Sequence, residues 1–363
     1  MLTLSRSFFG AGIFNLKVMK YIKFYLALVV LVFSTNGYWG QTRTLLLEDD
    51  ISIRAIEVVG NSVYYAGSQS KMGRVDISNP KRTKQVRLSS ENLEFRTIGY
   101  HKKHFYTISI GSPARFYRIK LGSLSNRLIQ TDSLDTAFYD AIHFTEEGEG
   151  WTFSDPNKTC TKIAKFQPKE NRWAMLPCDV LPKMKEGEAA FAASNSNFSS
   201  VGNDLWLVTG GSVSRVFHWD SKEWRVYNTP AMQGKSSSGL YSVDFYSNER
   251  GIAVGGDYTD QMANKDNIII TDDGGKTWKT VASGKNAGYM TFVQYRPGSN
   301  GKQIIVLGDQ HLSFSKDDGK SWEKISDEKG FFVGQWIDEN RFVAAGKGKI
   351  VLWDWTNQKK NKN

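Results

Sequence analysis

The pattern of hydrophobic and polar positions along this chain repeats every 41 to 51 residues. Each unit begins with a polar or aromatic residue and continues with alternating apolar residues, which is the period of a half-buried strand. A short turn and a second apolar run follow, and seven such units occur. Their first strands begin near residues 54, 96, 140, 190, 241, 291 and 332.

A repeat of about 40–50 residues holding four short strands is typical of one blade of a β-propeller. A helical solenoid of similar period would need apolar residues 3.6 positions apart, and the chain shows almost none. The last unit offers three strands, at 332–337, 341–346 and 349–355, while residues 42–47 are also strand-like. We therefore predict an all-β, seven-bladed β-propeller over residues 41–356, in which the N-terminal strand closes the last blade and removes a free sheet edge. Aromatic residues make up 13% of the chain, which supports this prediction because they are enriched in strands.

The N-terminal residues 1–40 have the features of a secretory signal peptide. Lys20 and Lys23 precede an apolar run, Phe24–Phe33, and small or polar residues follow it. Met19 is then the expected start of translation, and no cysteine near the exit forms a lipobox. A run this short does not span a bilayer, which needs about 20 apolar residues, although a retained membrane anchor is the alternative. We predict a secreted or periplasmic protein with no stable membrane span after cleavage.

The net charge of +10 falls once residues 1–40 are removed, leaving 43 basic against 37 acidic residues. Part of the remaining excess lies in residues 357–363, which we predict to be a disordered basic tail. No basic stripe is interleaved with aromatic residues, so nucleic-acid binding is not expected.

The chain has two cysteines, Cys160 and Cys178, and an exported protein can form a disulfide. Residues 162–166 and 172–176 are predicted to form a hairpin whose turn centres on residue 169. That register sets the two cysteines opposite each other, within disulfide range. Two free thiols in a slipped register are the alternative.

Two segments, 271–278 and 315–322, fit the pattern S/T-x-D-x-G-x-T/S-W and lie 44 residues apart. In each, the Asp carboxylate can accept backbone N–H groups across a hairpin turn, and the Gly takes the positive φ. The pattern residues are Thr271, Asp273, Gly275, Thr277, Trp278, Ser315, Asp317, Gly319, Ser321 and Trp322.

These segments resemble the Asp-box, or bacterial neuraminidase repeat (BNR), of sialidases and other propellers. Over residues 41–356 the chain resembles the photosystem-assembly-factor-type propellers, in particular their exported bacterial relatives, which often carry the loose label "oxidoreductase". The strings that carry this resemblance lie at 138–140, 154–156, 187–188 with 190–194, 237–239 and 255–257. The resemblance implies that each Asp-box joins the third and fourth strands of a blade. It would then have a structural role on the face opposite the first-strand starts.

No catalytic motif is complete. A sialidase needs three arginines, a Tyr/Glu pair and an Asp acid, and the nearest segment, Phe116–Lys120, lacks the expected proline. An oxidoreductase needs an electron carrier, and no dinucleotide or haem motif is present. The five histidines form no spaced cluster with cysteines or carboxylates. We therefore expect no cofactor and no metal.

First-strand starts and second-strand ends share one face of a propeller, and long loops on a rigid scaffold often carry function. The candidate binding residues on this face are Arg54, Arg96, Asp140, Asp155, Glu188, Tyr241 and Asp257. We predict a non-catalytic, monomeric module that binds a protein or peptide partner there, as an assembly or stability factor in the cell envelope. These residues could instead simply cap strand ends. The other alternative is an enzyme, an oxidoreductase or a sialidase-type glycosidase, which a carboxylate pair of shifted pKa in a central pocket would favour.

Overall fold

A computed structural model describes residues 41–157 and 160–356. The predicted signal peptide, residues 1–40, and the predicted tail, residues 357–363, lie outside the described residues. Residues Thr42–Asp354 form one compact unit. Within the described part of the chain, no helix has the length and apolar character needed to cross a membrane.

The described chain is built from strands. The first twelve are β1 (Thr42–Val59), β2 (Ser62–Gly67), β3 (Lys71–Asp76), β4 (Lys84–Arg87), β5 (Gly99–His101), β6 (His104–Ile108), β7 (Ala114–Lys120), β8 (Asn126–Asp132), β9 (Tyr139–Phe144), β10 (Gly150–Asn157), β11 (Cys160–Gln167) and β12 (Arg172–Met175). A short 3₁₀ turn, Cys178–Val180, follows β12. The next strands are β13 (Glu188–Ala189), β14 (Phe198–Val201), β15 (Asp204–Val208), β16 (Gly210–Gly211), β17 (Arg215–Trp219), β18 (Trp224–Asn228), β19 (Ser238–Phe245), β20 (Gly251–Asp257), β21 (Ile268–Thr271) and β22 (Lys279–Thr280). The last are β23 (Phe292–Tyr295), β24 (Ile304–Gly308), β25 (His311–Ser315), β26 (Glu323–Ser326), β27 (Phe331–Trp336) and β28 (Arg341–Asp354).

These described strands form six hydrogen-bonded sheets, so the prediction of seven blades is wrong. Four sheets have four strands each: β5 to β8, β9 to β12, β14-β15-β17-β18, and β23 to β26. The two others have six strands, in the orders β27-β28-β1-β2-β3-β4 and β13-β16-β19-β20-β21-β22.

The count falls to six because the first and seventh sequence repeats share one sheet through the long strand β1. The first part of β1 pairs with β28, with Thr42 opposite Asp354 and Glu48 opposite Lys349. Its second part pairs with β2, with Ile56 opposite Tyr65. β1 is thus one continuous strand that pairs with β28 of the last repeat and with β2 of the first repeat. The sequence repeat did not reveal that these two repeats share a sheet.

Apolar side chains from neighbouring sheets pack together between the sheets. Tyr64 and Met72, for example, share one buried cluster with Phe105 and Ile119 of the next sheet. Successive side chains of a strand point to opposite faces, so each sheet contributes to two such clusters. The core is therefore a series of layers between sheets.

Polar side chains link the innermost strands of successive repeats. Gln294 Oε1 accepts the backbone N–H of Trp336 at 2.9 Å, and Gln335 Oε1 accepts that of Val58 at 2.8 Å. Asp244 Oδ2 accepts the N–H of Tyr295 at 2.7 Å. All three acceptors occupy the fourth position of the five-residue first-strand motif, and each donor occupies the fifth position of the next repeat.

Cys160 and Cys178 form a disulfide with their Cα atoms 5.5 Å apart. The hairpin register differs from the predicted one by a single residue, because Gln167 lies opposite Arg172. Cys178 has left the strand and lies in the 3₁₀ turn, which brings its side chain to Cys160.

Candidate binding site

The centre of the molecule is crossed by residues 190–197, which connect β13 to β14 and which we call the plug segment. Asn195 has a left-handed backbone, with φ of 57°. Its amide donates to Ile98 O at 2.7 Å and to Ile142 O at 3.2 Å, and it accepts the Ile142 N–H at 2.8 Å. Ser194 Oγ donates to Thr291 O at 2.6 Å. The plug segment is therefore bonded to innermost segments of several repeats.

Two cavities lie on either side of the plug segment. The upper cavity, of about 470 Å³, is lined in part by Ala192 and Ala193. The lower cavity, of about 360 Å³, is lined in part by Ser194, Asn195 and Ser196. The plug segment has turn and bend backbone here, and two consecutive parts of it, 191–193 and 194–196, line the upper and the lower cavity respectively.

Two arginines dominate the upper cavity. Arg54 Nη1 donates to Ala193 O at 3.2 Å, and its guanidinium lies 3.9 Å from the ring centroid of Phe332. Arg96 Nη1 donates to Ala192 O at 3.4 Å, and its Nε donates to Glu94 at 2.8 Å. Arg54 Nε is buried and has no hydrogen-bond partner among the described residues. Burial, and then the neighbouring Arg96, lower the pKa of Arg54 from its usual 12.5.

Aromatic side chains form much of the remaining wall. The Tyr241 ring stacks on Phe191 with centroids 4.0 Å apart, and its hydroxyl donates to Ser237 O at 2.7 Å. Tyr289 meets Tyr241 edge to face. Tyr258, on the loop after β20, also lines the cavity and is 50% exposed. The cavity thus has cationic groups set in an aromatic wall, a combination that suits an anionic group attached to an apolar body.

Three of the seven predicted binding residues, Arg54, Arg96 and Tyr241, meet in the upper cavity. Sequence reasoning missed several other lining residues: Phe191, Ala192, Ala193, Tyr258, Gln261, Tyr289, Thr291, Asp309, Phe332 and Lys347. Thr291 and Phe332 could have been found, because they hold the same first position of the repeated motif as Arg54, Arg96 and Tyr241. Phe191, Ala192 and Ala193 belong to the plug segment, where the repeat predicted the start of a first strand near residue 190. That prediction is wrong, because the first strand of this repeat, β14, begins at Phe198.

Asp140 and Asp155 lie together but do not line either cavity. Asp140 is fully buried. Burial and the proximity of Asp155 raise the pKa of Asp140, although Arg96 acts in the opposite direction. Burial likewise raises the pKa of Asp155 against the influence of Lys162.

Glu188 and Asp257 are engaged inside the structure. Glu188 forms a buried ion pair with Arg215, with Oε2 and Nη2 2.5 Å apart, and also accepts the Thr209 hydroxyl at 2.6 Å. Asp257 Oδ1 accepts the N–H and the hydroxyl of Thr259, and its other oxygen pairs with Lys235 at 3.0 Å. These contacts hold loops in place beside the upper cavity.

The two segments with the Asp-box pattern form hairpin turns with the same hydrogen bonds. Asp273 accepts the Thr277 N–H at 2.9 Å and the Thr277 hydroxyl at 2.6 Å. The Trp278 indole donates to Gly275 O at 2.9 Å. The corresponding bonds of Asp317, Ser321 and Trp322 have the same lengths. Both turns join the third and fourth strands of their four-strand runs, and none of the ten pattern residues lines either cavity.

Solved structures similar to this one are propellers. YCF48 bound to D1 peptide superposes with a TM-score of 0.64 at 14% identity, covering 88% of this chain and 96% of that one. The streptogramin B lyase structure gives 0.65 at 12% identity, covering 88% and 99%. YCF48 from Cyanidioschyzon merolae gives 0.60 at 10% identity, covering 86% and 98%. The fold is a β-propeller.

At these identities the likeness establishes the fold of this propeller alone. No family model matches the chain. A curated protein, vacuolar protein sorting/targeting protein 10 of Emericella nidulans, is 30% identical over 112 residues. That match covers 28% of this chain and only 7% of the length of the relative.

Proposed function

We propose that this β-propeller is a non-catalytic, exported binding module whose upper cavity receives a carboxylate-bearing segment of a protein or peptide partner. The single observation that carries the proposal is the Arg54 guanidinium. It is largely buried in the cavity wall beside Arg96, and its Nε has no partner among the described residues. A carboxylate in the cavity would pair with the guanidinium groups of Arg54 and Arg96 that line it, and such charge-assisted bonds are roughly twice as strong as neutral ones.

The upper cavity has room for only a small part of a larger partner. Its volume of about 470 Å³ is in the range of ligand pockets and fits a side chain or a chain end. Next to it, the loop after β20 exposes Tyr258 by 50% and Met262 by 74%. Exposed aromatic and methionine side chains at a cavity edge are typical of protein contact surfaces.

The similar fold of YCF48, whose structure was solved with D1 peptide bound, supports a peptide as the kind of ligand. An enzymatic role would be supported by a carboxylate pair facing the cavity. The pair with raised pKa values, Asp140 and Asp155, is absent from the cavity lining. Binding without chemistry is therefore the function we propose.

The test compares Arg54→Gln/Arg96→Gln with wild type in affinity capture from the cell-envelope fraction, with recovered proteins quantified by mass spectrometry. Glutamine keeps a donor for the plug segment but removes the positive charge. Arg172→Gln/Arg225→Gln is the matched control, because these two arginines lie in strands at the sheet edges with side chains 54% and 46% exposed.

We expect at least one partner to be recovered equally by wild type and control but about tenfold less by the cavity variant, since a lost charged hydrogen bond is worth about 1.5–3 kcal/mol. Thermal melts establish that the three proteins are folded. Equal recovery of every captured protein by all three would refute the proposal.

A further inference from the structure

Positive charge is concentrated in the first two repeats. From Arg54 to Asp132 the sequence has 14 basic and 5 acidic residues. This segment therefore carries an excess of +9, close to the net +10 of the entire chain. Such an asymmetry gives one sector of the molecule a positive potential over distances of about 10 Å at moderate ionic strength.

Each of the five acidic side chains of this segment lines a cavity or accepts bonds from particular groups of the protein. Glu57 lines the lower cavity, and Asp76 accepts the N–H groups of its own loop. Glu91 and Glu94 pair with Arg115 and Arg96, while Asp132 accepts the Tyr139 hydroxyl. They leave much of the basic excess uncompensated.

Two pairs of basic residues face each other directly across neighbouring strands. Arg74 of β3 lies opposite Lys84 of β4, and Arg118 of β7 lies opposite Arg127 of β8. Like charges in these positions repel and destabilise a sheet. None of the four has an acidic partner within 4 Å in the part of the chain that the structure describes. The repulsion would be relieved by an anionic surface outside the protein.

The turn between β5 and β6 adds two further lysines to these pairs. Lys102 and Lys103 are exposed, and Lys103 O accepts the N–H of Leu121, which places this turn beside the end of β7. We call the six residues Arg74, Lys84, Lys102, Lys103, Arg118 and Arg127 the basic rim. Arg96 precedes β5 and Lys102 follows it, so the rim lies at the opposite end of the strands from the upper cavity.

We propose that the basic rim docks this propeller on a membrane surface rich in anionic phospholipid headgroups. None of the rim residues lines either cavity, and its lysines project without fixed partners among the described residues. Diffuse lysine and arginine charge without a shaped pocket suits a layer of phosphates better than a specific acidic peptide. The sequence also predicts that Phe24–Phe33 engages a membrane, as a signal or as an anchor.

The test measures binding of the full chain to phosphatidylcholine vesicles and to vesicles containing about 30% phosphatidylglycerol, by co-sedimentation at low and high salt. The rim variant is Lys84→Gln/Lys102→Asn/Lys103→Asn/Arg127→Gln, in which asparagine suits the positive φ of residues 102 and 103. The control is Lys276→Gln/Lys279→Gln/Lys285→Gln/Lys302→Gln, which removes equal charge from four exposed lysines of other sheets and loops. All proteins keep the apolar run, so its contribution is the same in each.

We expect wild type and control to bind the anionic vesicles within twofold of each other, and the rim variant to bind about tenfold more weakly. High salt should abolish the difference because it screens exposed charges. Equal weakening in both variants, or equal binding to both vesicle types, would overturn the proposal. Rim-dependent binding to soluble poly-L-glutamate without vesicle binding would also overturn it and would identify an acidic protein as the partner. Capture of a partner by the upper cavity does not depend on any of these results.

Discussion

The Glu57 carboxyl group links two neighbouring repeats and also titrates with a raised pKa. It holds the fourth position of the motif, where Gln294 and Gln335 accept a backbone N–H from the next repeat. Glu57 makes the corresponding bond with the Tyr100 backbone, but its burial raises its pKa from 4.5 to about 8. Its carboxyl group is therefore protonated in the folded chain at pH values where the unfolded chain is ionised.

The folded state binds this proton more tightly, so Glu57 lowers stability as pH rises from about 4.5 to about 8. We predict that Glu57→Gln raises the free energy of unfolding at pH 8 by about 2 kcal/mol more than at pH 5, because glutamine keeps the acceptor without the ionisable group. Urea unfolding at the two pH values measures this. The converse substitution, Gln335→Glu, should introduce a loss of stability at pH 8, and a Glu57→Gln effect independent of pH would contradict the prediction.

At the scale of elements, the plug segment determines the shape of the site. It closes the centre of the propeller, supplies Ala192 and Ala193 to the upper cavity, and fixes Arg54 and Arg96 through its carbonyl groups. Asn195 is its main attachment, since one amide makes three hydrogen bonds to two inner strands or their connections.

We predict that Asn195→Ala lowers the free energy of unfolding by about 3 kcal/mol, through lost bonds and a left-handed backbone that alanine disfavours. Asn171→Ala is the control, because Asn171 also has a positive φ, of 51°, but lies in a hairpin turn, where its side chain accepts one long bond, of 3.4 Å, within the described part of the chain. It should cost about 1 kcal/mol. Denaturant unfolding of both variants separates the cost of backbone strain from the cost of the lost Asn195 side-chain bonds. An equal loss of unfolding free energy in the two variants would show that the Asn195 side-chain bonds do not stabilise the plug segment.

At the scale of the whole molecule, the pairing of β1 with β28 brings the two ends of the described chain into one sheet. Leu46 in its first part is buried, at 3% exposure, whereas its neighbour Leu45 is 43% exposed. If the propeller folds as one cooperative unit, a defect in this pairing should weaken all of its sheets together.

We predict that Leu46→Ala lowers the free energy of unfolding by about 3 kcal/mol in one shared transition, the usual cost of a cavity at a buried leucine. Leu45→Ala should change it by less than about 1 kcal/mol. Tryptophan fluorescence and circular dichroism should report coincident transitions for both variants. A separate early transition in the Leu46→Ala variant would mean that the closing strand opens independently.

The sequence alone determined the features that depend on short-range contacts. Strand alternation fixed the repeat and the all-β class, and the Asp273 and Asp317 turns follow from bonds between residues at most four positions apart. The meeting of Arg54, Arg96 and Tyr241 followed from their shared place in the repeat.

Only the tertiary structure decided which of these positions face the site. Arg54 reaches the plug segment across 139 positions, and no local pattern encodes such a contact. The same holds for the merging of the first and seventh repeats into one sheet and for the burial of Asp140 and Glu188 away from the cavity lining. Their surroundings are set by packing between sheets, because a strand's own period fixes the face on which a side chain lies but not what covers that face.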